Sequence, residues 1–150
     1  MATFIRNDGG RAAAGFKGTA GDCVTRAIAI ASGLPYAYVY EAMAAGNEGQ
    51  RTTKRSGKSS GKRTANSGIY TTRKWFKDWM VAHGFRWVPT MTIGSGCKVH
   101  LKADELPAGK LVAMVSRHAV AVIDGAIHDT YDPSRGGTRC VYGYWVKEAA

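Results

Sequence analysis

The chain has no run approaching the roughly 18 consecutive apolar residues that a membrane span needs, and Met1 to Asp8 hold no apolar stretch of secretory-signal length. The expectation is a protein that is cytoplasmic as made, with no membrane contact. Cysteine is scarce. The three that occur, Cys23, Cys97 and Cys140, cannot all pair internally, and their separations match no zinc-ligand spacing. That argues against a disulfide scaffold and against a metal framework, and free thiols in a reducing compartment are the simpler expectation. A Cys23–Cys140 or Cys97–Cys140 bridge stays open, because pairing is not written in spacing. His83, His100 and His128 also lack metal spacing and read as structural or exposed. No cofactor is implied.

Acidic residues are missing from one stretch in particular. Between Gln50 and Ala65 there is no Asp or Glu but six cations, Arg51, Lys54, Arg55, Lys58, Lys62 and Arg63, which supply +6 of the formal net charge of +10. Residues 47–68 also have no aromatic side chain and no periodic apolar face, so a flexible, solvated basic loop is expected there. Such a loop can neutralise phosphates in a salt-dependent way or meet an acidic partner. Without interleaved aromatics it offers bases nothing to stack on.

With 150 residues and 45% hydrophobic content, the chain suffices for one domain, 1–150, around one core. The Gly- and Ala-rich opening, with Asn7-Asp8-Gly9-Gly10 as a turn signal and breaks at Gly15, Gly18 and Gly21, predicts irregular backbone up to Cys23. Val24, Ala27, Ile28 and Ala31 then recur at helical spacing, with Gly33 and Pro35 as stop signals. Further helices are expected over about 35–45, closed by Gly46-Asn47, and about 70–83, striped by Trp75, Trp79 and either Phe76 or Met80. Short strands follow at about 85–92, 111–115, 119–124, 126–131 and 140–146. Helices first and strands second give an α+β fold, N-terminal helices packed on a C-terminal antiparallel sheet.

Chemistry is suggested at the first helix. Cys23 opens it, and a helix N-terminus stabilises thiolate, the form of cysteine that attacks carbonyls. Asp22 beside it opposes thiolate formation unless it caps the helix and points away. His118 starts one strand of a hairpin whose turn is signalled by Asp124-Gly125. A three-residue loop would place His118 across from Asp132, whereas a two-residue loop would bring Asp129 to the same face, diagonal to His118. Either carboxylate could accept the Nδ1 proton and leave Nε2 for Cys23, the arrangement of nucleophile, base and orienter. Each residue also has a plainer reading: Cys23 as a small buried side chain, His118 as a strand-end histidine, Asp132-Pro133 as a turn. Cys97 reads as a loop thiol and Cys140 as core. Tyr142, Tyr144 and Trp145 could stack on a ligand, though strand alternation accounts for them as well.

Gly21-Asp22-Cys23 opening a buried helix, His118-Ala119-Val120-Ala121-Val122 opening a strand and Asp132-Pro133 after a hairpin resemble the papain-like cysteine peptidase superfamily. Within it the chain looks most like the double-glycine leader peptidases of bacteriocin export and their relatives in bacteria and phages. The resemblance implies a papain-like fold, a peptide or protein substrate, and amide cleavage through an acyl-enzyme, with Cys23, His118 and Asp132 as the triad. The His118 to Asp132 interval is about two residues shorter than is usual there, which shortens the hairpin loop without reversing faces and favours Asp132 over Asp129. One departure concerns the oxyanion hole. Those enzymes usually carry a Gln about six residues before the nucleophile, where this chain has Lys17; Lys17 or Asn7 could substitute as the donor. The alternative expectation is a non-enzymatic nucleic-acid-binding or assembly protein on the same scaffold, acting through residues 51–63.

Overall fold

The structure, a computed structural model, describes residues 3–10, 12, 15, 23–49, 73–91, 96–116 and 118–148. Its helices are α1 (Cys23–Ser32), α2 (Tyr36–Gly49) and α3 (Lys74–Ala82). Its strands are β1 (Thr3–Arg6), β2 (Phe85–Pro89), β3 (Lys110–Val115), β4 (His118–Ile123), β5 (Ala126–Asp129) and β6 (Gly143–Lys147), with a 3-10 turn at Ala103–Glu105. The strands form one sheet in the order β1-β5-β4-β3-β6-β2. The class is therefore α+β. No helix among the described residues is long and apolar enough to cross a membrane.

In α1 the periodic residues Val24, Ala27, Ile28 and Ala31 are all buried, as their spacing requires. Gly33, at φ +75°, adopts the left-handed geometry that ends the helix, and its N–H donates to Ala29 O at 3.0 Å. The second helix runs past its expected end. Gly46 lies inside α2 because the Trp75 ring rests on it: a Cβ there would sit 2.3 Å from the indole carbons. Absence of a side chain serves close packing at this position, so the glycine is no stop signal. In α3, Phe76 and Met80 are fully buried, while Trp75 and Trp79 pack at the margin of the core.

Helices cover one face of the sheet, where Val112, Met114, Ala119, Ala121 and Trp145 meet them. Leu101, Leu106 and Val141 close over the other face, against Leu111, Val120, Val122 and Ile127. With both faces covered, β3 and β4 read as continuous apolar runs.

Three expectations are corrected. The N-terminal arm is not irregular throughout, since β1 pairs in parallel with β5 and makes the sheet mixed; a four-residue strand carries too few alternating positions to be seen in advance. The last strand starts at Gly143 and not at Cys140, which makes only an isolated bridge with His100. The cysteines are not all free. Cys97 and Cys140 form a disulfide with a Cα separation of 5.8 Å, and Cys23 alone is a free thiol. The basic segment 51–63 lies outside the described residues.

Candidate active site

Cys23 is the first residue of α1, where the first-turn N–H groups have no intrahelical acceptor and the helix dipole favours an anion. His118 opens β4 and Asp129 closes β5, so antiparallel pairing carries both to one end of the sheet. Helix α1 packs on β4, and its N-terminus meets that end. The Cys23 thiol and the His118 ring lie near enough for each to shift the other's titration, and the Ala119 backbone acts on the thiol as well. On the far side of the ring, His118 Nε2–H donates to Asp129 Oδ2 at 2.6 Å. Nδ1 is thus left to face the thiol, the reverse of the nitrogen assignment expected from the sequence.

The carboxylate at His118 belongs to Asp129 and not to Asp132. Asp124 (φ 48°) and Gly125 (φ 82°) form a two-residue turn, which fixes the register Ile123↔Ala126, Val122↔Ile127, Ala121↔His128. That register sets Asp129 diagonal to His118 on one face. Asp132 instead accepts the backbone N–H of Ser134 at 3.0 Å, the turn geometry common where Asp precedes Pro. The Asp132-Pro133 part of the papain-like resemblance therefore does not coincide with the carboxylate that holds the histidine.

The electrostatics follow from burial and pairing. The His118 and Asp129 side chains are only 7% and 4% exposed. Burial alone would depress the His118 pKa, yet the Asp129 hydrogen bond, the Cys23 hydrogen bond and the charges of both push it up to about 9. Burial raises the Cys23 thiol, but the His118 hydrogen bond and charge, the Ala119 N–H and the Arg26 charge together bring it below the ordinary cysteine value. Thiolate and imidazolium stabilise each other, and their titrations belong to the pair.

Arg26 is a member of the site that the sequence reading missed. It lies one turn after Cys23 on the same helical face and is buried, with its Nη2 3.4 Å from Asp129 Oδ1. Asp129 Oδ1 also accepts the Thr130 N–H at 2.7 Å. Both carboxylate oxygens are thus engaged, one by His118 and the other by Arg26 and the backbone. The available signal was a charged residue, Arg26, within a short helix that has no other charged side chain. Tyr131 is a second addition: its ring centroid is 5.4 Å from that of His118, and it is 51% exposed.

Of the remaining candidates, Lys17, Gly21 and Asp22 lie outside the described residues. Asn7 is committed elsewhere, its Nδ2–H donating to His128 Nδ1 at 3.2 Å and its Oδ1 accepting the Gly9 N–H at 2.8 Å. His83 stacks on Trp79 and bonds Tyr38. Among the described residues, no group of three or more His, Cys, Asp or Glu is arranged to hold a metal ion. No family model, curated protein or solved structure matches the chain.

Proposed function

We propose that this protein is a cysteine hydrolase of papain-like fold that cleaves a peptide or related amide through an acyl-enzyme. Cys23 is the nucleophile, His118 the acid and base, and Asp129 the residue that orients His118. The observation that carries the reading is a half-buried Cys23 at a helix N-terminus, coupled to a buried His118 that is hydrogen-bonded to a buried Asp129.

The Cys23 thiolate attacks the amide carbonyl, and the Cys23 backbone N–H, free of any intrahelical acceptor, is placed to donate to the developing oxyanion. His118 gives its Nδ1 proton to the leaving amine as the C–N bond breaks, and a thioester to Cys23 remains. His118 then takes a proton from water as that water attacks the thioester, and the thiolate leaves with the imidazolium restored. Through both steps Asp129 holds Nε2–H and balances the charge of the imidazolium, so the ring stays fixed.

The test is labelling with a thiol-directed acyl probe and hydrolysis of a peptide library. Cys23→Ala and His118→Ala should each abolish both signals. Undiminished labelling of a folded His118→Ala variant would show that the histidine does not activate the thiol. Cleavage that survives neutralisation of Arg51, Lys54, Arg55, Lys58, Lys62 and Arg63 would separate hydrolysis from nucleic-acid or acidic-partner binding by that segment.

A further inference from the structure

A second set of sulfur, imidazole and carboxylate lies apart from the site above. Cys97 is exposed and bonded to Cys140. His100 stands opposite Cys140 in an isolated antiparallel bridge, a pairing that brings their side chains to one face. His100 Nε2 is 3.7 Å from Cys97 Sγ, and Nδ1–H donates to Glu105 Oε1 at 3.1 Å. The same oxygen accepts the His100 backbone N–H at 3.2 Å, while Lys102 Nζ holds Oε2 at 3.0 Å. The hydrogen bonds from Lys102 and then His100 keep the Glu105 carboxyl at about 2, so it is ionised and the ring it holds is fixed.

A disulfide that only ties two loops together has no use for an aimed imidazole, and the usual place for one is away from solvent thiols. Here the sulfur that is open to solution, Cys97 Sγ, is the one beside the carboxylate-oriented ring. Lys98, which follows Cys97 in the chain, and Lys102, held on the Glu105 that orients His100, add positive charge that favours the approach of an anionic thiol.

We propose that Cys97–Cys140 is a thiol-exchange site, where a low-molecular-weight thiol attacks Cys97 Sγ and gives up its proton to His100 Nε2 beside that sulfur. The attacking thiolate forms a bond to Cys97 Sγ as the Cys97–Cys140 bond breaks. The electron pair leaves on Cys140 Sγ, which takes a proton from solvent, and His100 returns the proton of the incoming thiol to solvent. A second thiolate then attacks the outer sulfur of the mixed disulfide, releasing Cys97 as thiolate and a disulfide of the two small thiols. Two thiols are oxidised and one protein disulfide is reduced. The site does not depend on hydrolysis at Cys23.

The experiment is incubation of the oxidised full-length chain with glutathione, quenching with an alkylating agent, and peptide mapping by mass spectrometry. Glutathione is expected on Cys97 and alkylation on Cys140. His100→Gln should slow adduct formation about tenfold, below the usual range for a positioned base because part of the thiol is already ionised in solution. If that variant fails to fold, Glu105→Gln serves in its place, with about threefold slowing expected from a ring no longer held. Adducts divided equally between Cys97 and Cys140, or an unchanged rate in the folded variant, would overturn the proposal. So would isolation of the protein with one zinc ion held by Cys97, His100 and Cys140 in place of the bond.

Discussion

The two sulfur sites use the same kinds of side chain and differ in their access to water. At Cys23 the imidazole and carboxylate are almost wholly buried, and Asp129 has a second, buried partner in Arg26. At Cys97 the His100 and Glu105 side chains are 36% and 24% exposed, and the carboxylate's second partner is the solvent-facing Lys102. In the first case each charge has exchanged water for fixed partners and the thiol is held ready as an ion pair; in the second the sulfur is stored in a bond that a solution thiol must open. On the two proposed readings, a cysteine's chemistry is decided less by having a histidine and a carboxylate nearby than by what surrounds those two.

The sharpest way to break this contrast is at the carboxylates. Asp129→Asn should lower kcat/KM for hydrolysis by on the order of 10²- to 10⁴-fold, because the ring loses both its orientation and its counter-charge. Asp132→Asn should stay within about threefold of the parent. Equal losses in steady-state assays would remove Asp129 from its assigned role.

Next comes stability. Arg26→Met should destabilise the fold by about 3 kcal/mol, since it leaves Asp129 with one charged partner fewer in a buried setting. Lys102→Met should leave the denaturation midpoint where it was, because its partner is shared with solvent. Urea unfolding of the two variants side by side makes the comparison, and similar shifts would erase the distinction between the sites.

The pH dependence follows from His118, whose folded pKa of about 9 lies above the ordinary 6.5. Its contribution to stability is complete below about 6.5, declines as pH rises, and is gone above about 9. Hydrolysis should fall over the same upper range as the leaving amine loses its proton donor, and should rise at low pH through a thiol transition below the usual cysteine value. Profiles of kcat/KM and of unfolding midpoint between pH 5 and 10 test both signs. The smallest effect is expected from Tyr131→Ala, about threefold in KM with kcat little changed, through lost contact beside His118.

Much of this was legible because it is periodic. The apolar spacing of α1 and its glycine stop placed Cys23 at a helix start, and the Asp124-Gly125 pair placed His118 on a hairpin. The choice of carboxylate was not legible, because it turns on whether the loop holds two residues or three, a question settled by the positive φ that Asp124 adopts. Arg26 was hidden for a different reason: its partner comes from a strand far along the chain, and no local pattern announces a buried ion pair. The Cys97–Cys140 disulfide was one of two bridges left open, because pairing depends on tertiary proximity, and strand β1 was missed because a single inward residue, Phe4, makes no pattern.

Strand β1 has one further effect, on the order of assembly. It runs beside β5, and the Asn7 N–H reaches the Asp129 carbonyl at 2.8 Å, so the backbone of the orienting residue is fixed by a segment that precedes the nucleophile. The hydrogen bonds of the helix bearing Cys23 are local, whereas the parallel pairing closes a loop of most of the chain and belongs among the slow events of folding. During synthesis the thiol would therefore emerge long before its histidine, and remain an ordinary, sluggish cysteine until nearly the whole polypeptide had come together.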